Sequence, residues 1–145
     1  FAMNTKTYLS QARHLDMRIK SKLQQIESLN ELATSCSSVL TGMPRNPNIG
    51  GSKMADAVYK MIDLQNELKR DIEALVDLKK EIMNTIRLVT DAEQQTLLEK
   101  RYLCFLSWEK IAVEMHYSIQ HIYRMHDEAL NVVDTILAMR VNESE

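Results

Sequence analysis

An all-helical fold is predicted by three properties of this sequence. Glycine and proline are rare, with three and two copies among 145 residues, whereas sheet proteins need frequent turn punctuation. Apolar residues recur at steps of three and four over long stretches, the spacing of one buried helix face. No strand-like alternating run stands out. The expected architecture is a long antiparallel helical hairpin followed by a C-terminal helix-turn-helix. With 45% hydrophobic and 26% charged residues, the chain is long enough to bury a core, as one domain with an extension or as two small units.

The first helix is expected from about Thr5 to the low thirties. Leu9, Ala12, Leu15, Ile19, Leu23, Ile26, Leu29 and Ala33 trace one stripe along it, and its other face is basic. From Lys6 to Lys22 there are five basic residues (Lys6, Arg13, Arg18, Lys20, Lys22) and one acid, Asp16. The segment 41–52 holds every glycine and proline of the chain and reads as the linker. A second helix, capped by Ser52, is expected to run to about Val89 without a breaker. It would span on the order of 55 Å, more than a compact domain of this size needs.

Met61, Leu64, Leu68, Ile72, Leu75, Ile82, Ile86 and Val89 keep close to a seven-residue, coiled-coil-like repeat, with Lys79 falling in the stripe. Val58, Ile62, Val76, Leu78, Met83 and Leu88 widen the apolar surface beyond a narrow seam. Two helices alone leave such a surface uncovered, so residues 1–89 are expected to form a homodimer. Packing of the hairpin against the C-terminal unit is the competing explanation.

Residues 90–145 read as the helix-turn-helix domain. Thr90 or Asp91 offers a cap, with Glu93 or Gln94 three residues later as its capping-box partner. Leu97, Leu98, Tyr102 and Leu103 give the third helix its apolar face, beside Lys100 and Arg101. Ser107 and Ser118 then cap two further helices around a very short turn, since a serine oxygen accepts from an unpaired amide of the first turn. Ile111, Ala112 and Met115 line the first of these helices, and Ile122, Met125, Ala129 and Leu130 the second. The outer face of the second helix is left free, the arrangement that lets a helix enter a DNA major groove. Trp108 is expected in the core.

Several function classes are disfavoured. No apolar run approaches the roughly 20 residues that span a bilayer, and no signal-peptide pattern is present, so a cytoplasmic protein without membrane association is expected. Phe1 and Ala2, ahead of Met3, read as added residues rather than natural sequence. Cys36 and Cys104 lie far apart without metal-ligand spacing, so two buried thiols are expected rather than a disulfide or a zinc site. His116, His121 and His126 are spaced by five, which turns successive rings by about 140° around a helix. They read as solvated or phosphate-facing, and no metal or cofactor is expected. No phosphate loop, catalytic triad or carboxylate constellation argues for an enzyme.

The segment from Asp91 to about Leu130 resembles region 4 of the sigma-70 family. The resemblance rests on Leu-Leu-Glu-Lys-Arg-Tyr ending one helix, Ser-Trp-Glu-Lys-Ile-Ala opening the next, and Tyr-Ser-Ile-Gln-His-Ile-Tyr-Arg before Ala129-Leu130. The whole chain resembles small phage-encoded regulators related to late-gene transcription activators of phages of Gram-positive bacteria. That similarity is carried by Leu40-Thr41-Gly42-Met43-Pro44-Arg45, Met54-Ala55-Asp56-Ala57, Arg101-Tyr102-Leu103 and Trp108-Glu109-Lys110-Ile111-Ala112.

The resemblance implies a phosphate-contacting cap at Ser118, and Ile119, Gln120, Tyr123 and Arg124 reaching base edges or nearby phosphates, flanked by His121 and Asp127. Lys110 and Arg101 would touch the DNA backbone. The chemistry suits these tasks: glutamine pairs bidentately with adenine, arginine with guanine, and isoleucine touches a thymine methyl. Two departures stand out. Relatives usually carry glycine where this chain has His116, and arginines where it has Ile119 and Gln120. Histidine tolerates the left-handed backbone such a turn requires.

Charge qualifies the expectation. From Asp91 to Glu145 there are five basic residues and ten acids, against thirteen basic and ten acidic residues in the first 90. DNA affinity rests on phosphate neutralisation. The function the resemblance implies is a phage or prophage transcriptional regulator reading promoter DNA as a dimer, with either a local basic edge sufficing, doubled by dimerisation, or the basic face of the first helix extending it. The alternative is an adaptor or sigma mimic that binds RNA polymerase or another host protein.

Overall fold

The computed structural model describes residues 4–40 and 47–144, with side chains described for 4–35 and 53–144. Five helices follow one another: α1 (Thr5–Leu40), α2 (Pro47–Ile86), α3 (Ala92–Tyr102), α4 (Trp108–Met115) and α5 (Ile119–Glu143). No strand occurs among the described residues. The fold is all-α, as the scarcity of glycine and proline predicts.

Three boundaries differ from expectation. α1 continues to Leu40 rather than ending in the low thirties, because nothing before Thr41 breaks a helix. α2 begins at Pro47 rather than at Ser52 and ends at Ile86 rather than Val89. Proline suits a first helical position, where its fixed φ fits and its missing amide has no partner to lose. The rest of the linker, 41–46, lies outside the described residues.

The chain divides into two compact units, one formed by Phe1–His14 with Leu75–Glu145 and the other by Leu15–Ala74. The expected division at residue 89/90 rests on charge and capping instead.

In the first unit, Leu9 and Ala12 of α1 are buried with Ile82 and Ile86 of α2, Leu98 and Tyr102 of α3, and Ala129 and Val133 of α5. Leu97, Ile111, Ala112, Ile122 and Met125 form an adjoining core under α4. Removing these side chains from water is the main stabilising term, about 25 cal/mol per Å² of apolar surface. A polar joint crosses the larger core. The Thr85 hydroxyl, fully buried, accepts from Arg140 Nη1 at 2.6 Å and lies 3.1 Å from the Tyr8 hydroxyl. Burial pushes the Tyr8 phenol up from its ordinary value. Thr5 Oγ1 donates to Asp134 Oδ1 at 3.0 Å, a further tie between α1 and α5.

The second unit buries far less. Ile19, Ala57 and Leu68 are its buried apolar side chains among the described residues. Lys22 of α1, largely withdrawn from solvent, pairs with Asp71 and lies 3.6 Å from Glu67 of α2. Beside it, a groove of about 540 Å³ is lined by Gln25, Leu29, Lys60 and Leu64. Val58, Tyr59, Ile62 and Ile72 stay exposed on α2, because two helices cover only one side of each other.

Candidate nucleic-acid interface

Capping builds this region from the first residue of α3. Asp91 Oδ1 accepts from the amides of Glu93 at 2.9 Å and Gln94 at 3.1 Å. Gln95 reaches back, its Nε2 donating to the carbonyls of Ile86, Arg87 and Val89 at 3.3–3.5 Å. Carbonyls at the end of α2 thereby gain a partner, which fixes the angle at which α3 departs.

The loop from α3 to α4 is held by one side chain. Arg101 Nη1 donates to the Leu106 carbonyl at 3.0 Å, and its guanidinium lies 4.3 Å from the centre of the Trp108 ring. Partial burial lowers its pKa from the ordinary arginine value. Between them Phe105 adopts φ of 60°, a left-handed conformation costly for a bulky residue. Its ring packs against the larger core, with Lys79 Nζ 4.6 Å above it.

Ser107 Oγ accepts from the Lys110 amide at 3.2 Å and starts α4. The helix ends at His116, with φ 60° and ψ 39°. The Tyr117 amide then donates to the Ala112 carbonyl at 3.1 Å and the His116 amide to the Val113 carbonyl at 3.3 Å. This is the paired closure that glycine ordinarily serves at a helix C-terminus. Histidine stands in the left-handed position, as its tolerance predicts. Ser118 follows at once, its Oγ accepting from the His121 amide at 3.2 Å. Only His116, Tyr117 and Ser118 separate α4 from α5.

The sequence-predicted residues cluster around this turn. The cap Ser118 is exposed, as are Gln120, Tyr123 and Arg124 on the first two turns of α5, while Ile122, Met125 and Ala129 are buried on its opposite side. Ile119 and His121 are half-buried, and the His121 ring lies 4.4 Å from that of Tyr117. Lys110 is exposed on α4. Arg101 has a structural task in pinning Leu106 and Trp108, which no sequence pattern announced. Trp108 is half-buried rather than fully inside, its ring centre 5.6 Å from that of Tyr123 in an edge-to-face pair.

Acidic groups surround the turn. The Tyr117 hydroxyl donates to Glu93 Oε1 at 2.7 Å, a bond to a carboxylate that raises the phenol's pKa. Lys100 is paired with Glu114 at 3.0 Å. A cleft of about 410 Å³ is lined by Asp91, Glu93, Gln94, His121, Arg124 and Glu128. Arg124 thus stands among carboxylates.

Two expectations are corrected. His126 is buried, not solvated: its Nε2 lies 2.5 Å from the Tyr102 hydroxyl, and Trp108 packs 4.5 Å from its ring. The missed signal is its place on the stripe Ile122, His126, Ala129, Val133, at steps of four, three and four. Cys104 is exposed rather than buried, because α3 ends at Tyr102 and the residue falls in the loop. The side chain of Cys36 lies outside the described residues.

The whole is an all-helical protein whose last three helices pack around a tightly capped turn. Residues 44–134, most of the chain, match the family described as "Protein of unknown function (DUF1492)", and the chain belongs to that family. No curated protein and no solved structure matches it. No described helix is long and apolar enough to cross a membrane.

Proposed function

We propose that this protein is a DNA-binding transcriptional regulator of a phage or prophage. In this reading α4 and α5 are a sigma region 4-like helix-turn-helix, and α5 enters the major groove of promoter DNA. One observation carries it: a serine-capped helix follows a three-residue turn, with one face buried and Gln120, Tyr123 and Arg124 exposed on the other. Ser118 would hold a phosphate at the helix N-terminus, Gln120 and Arg124 would read base edges, and Lys110 would contact the backbone. α1 and α2 are proposed to form the antiparallel hairpin that joins two copies. The exposed Val58, Ile62 and Ile72 of α2 favour that role, since a second copy would cover them.

Selection of bound fragments from random and phage DNA at two salt concentrations tests the reading. The expected result is a specific site with paired half-sites, bound in a salt-sensitive way and lost in Arg124→Ala or Gln120→Ala with folding intact. Failure to bind any duplex at low salt overturns it.

The acidic rim favours a second reading. Asp91, Glu93 and Glu128 share a cleft with Arg124, a surface that repels phosphate and suits a basic protein partner such as a face of RNA polymerase. Stoichiometric recovery of such a partner without DNA binding would select this reading.

A further inference from the structure

The start of α1 belongs to the same compact unit as the capped turn. Leu9 and Ala12 are fully buried in the core that holds Tyr102, Ala129 and Val133, and Thr5 is hydrogen-bonded to Asp134. These contacts fix the first three turns of α1 against α3 and α5. Lys6 and Arg13 are exposed on them. Seven residues apart, they differ by only about 20° around the helix axis.

Both cations adjoin residues that pack α1 onto its neighbours: Lys6 follows Thr5, bonded to Asp134 of α5, and Arg13 follows Ala12, buried in one core with Tyr102 of α3. Arg13 next to Ala12 lies near enough to Arg101 to disfavour its charge. Lys6 and Arg101 act in the same way on His126, beneath Trp108. Lys6, Arg13 and Arg101 thus belong to one compact unit, in which Arg101 stacks on Trp108 and Trp108 meets the exposed Tyr123. Carboxylates lie here too: Asp134 is held by Thr5, Asp16 one turn beyond Arg13 is taken up by Lys20, and Glu109 and Asp127 act on Arg101 and His126 respectively. Among the described residues, Lys6, Arg13 and Arg101 form no ion pair, whereas Lys20, Lys22 and Lys100 do. The first 14 residues contain two cations and no acid, so this end of α1 offsets the negative balance of the C-terminal helices. Exposed cations that form no ion pair raise the local potential and attract an anion such as a phosphate.

We propose that Lys6 and Arg13 of α1, together with Arg101, form a second binding site for backbone phosphates of duplex DNA, beside the helix that reads the bases. The site rests on the DNA-binding reading above and adds α1, which lies outside the family-matched span, to the contact surface. It positions the protein on the duplex and carries no sequence information.

The test is binding of a 30-base-pair random-sequence duplex by fluorescence anisotropy, at salt concentrations from 50 to 200 mM. Lys6→Ala/Arg13→Ala should lower the slope of log affinity against log salt by about two, near 0.9 per phosphate contact. It should weaken all duplexes alike and leave the unfolding midpoint unchanged. Lys6→Gln/Arg13→Gln repeats the measurement with the aliphatic packing retained. Lys20→Ala, which removes a cation paired with Asp16 at 3.1 Å in the other unit, should leave the slope unaltered. An unchanged slope in both double variants, with wild-type binding intact, overturns this site alone, as does an equal fall in Lys20→Ala. No binding by the wild type at 50 mM salt overturns both this site and the DNA-binding reading.

Discussion

The Tyr102 hydroxyl and His126 Nε2 sit 2.5 Å apart, a hydrogen bond between two side chains that are each about 95% or more removed from solvent. It joins α3 to α5 behind the capped turn. Burial pushes the His126 imidazole down to about 4 and the Tyr102 phenol up to about 12, so both are neutral at pH 7.

The depressed imidazole gives a pH dependence of stability. Between pH 6.5 and about 4 the unfolded chain binds a proton that the folded chain refuses. Stability is therefore fully present above pH 6.5 and falls as the pH drops toward 4. The contribution is on the order of 3 kcal/mol. Urea unfolding at pH 7 and pH 4.5 should show the loss, and Tyr102→Phe/His126→Phe should remove most of the difference. His126→Phe alone should cost about 1–3 kcal/mol at pH 7, since it strands the Tyr102 hydroxyl.

The left-handed His116 predicts opposite effects from two substitutions. With φ 60° and ψ 39°, His116→Gly relieves the steric cost and should stabilise the protein by about 0.5–1 kcal/mol. His116→Val puts a β-branched side chain into the same conformation and should destabilise it by more than about 1 kcal/mol. Thermal unfolding midpoints check both. Equal midpoints for the glycine and valine variants would contradict the turn geometry.

Ser118 separates folding from binding. Its oxygen accepts the His121 amide, so Ser118→Ala should cost about 1 kcal/mol of stability. Ser118→Asp keeps the cap and should fold with wild-type stability, yet it places a negative charge where a DNA phosphate would sit. Anisotropy with duplex DNA should show weakened binding for the aspartate variant despite an unchanged unfolding midpoint.

Arg101 is predicted to matter for stability as well as charge. Lysine cannot both donate to the Leu106 carbonyl and lie flat on Trp108, because its ammonium lacks the planar fork. Arg101→Lys should cost about 1–2 kcal/mol, from the stacking and the lost hydrogen bond. Chemical denaturation reads the loss while net charge is preserved.

Much of this architecture is legible in the residues themselves. Asp91, Ser107 and Ser118 each cap the helix that follows them, because a short side-chain oxygen satisfies an amide only one turn away. His116 takes the turn position where glycine is usual, again a local matter of backbone sterics. The apolar steps along α5 likewise mark its buried face. The candidate site is legible to the same depth: Gln120, Tyr123 and Arg124 are exposed because Ile122, Met125 and Ala129 are not.

Other features were hidden. His126 reads as a polar residue until Tyr102, 24 positions earlier, supplies its hydrogen bond. Arg101 reads as a surface cation until the loop after α3 folds back beneath it. The ends of α1 and α2 are not legible in the residues, because extension of a helix through a permissive segment depends on weak preferences summed over several residues.

The sequence by itself determined that this chain is helical, where α3, α4 and α5 begin, and which side of each is apolar, since caps and periodicity act within one or two turns. Only the tertiary structure decided which charges and polar groups meet. It packed the start of α1, which carries Lys6 and Arg13, against α3 and α5, and buried His126 against Tyr102. Such contacts join residues up to 129 positions apart, as Thr5 and Asp134 are, and their energies depend on burial and distance, which exist only once the core of Leu9, Ala12, Ala129 and Val133 has closed.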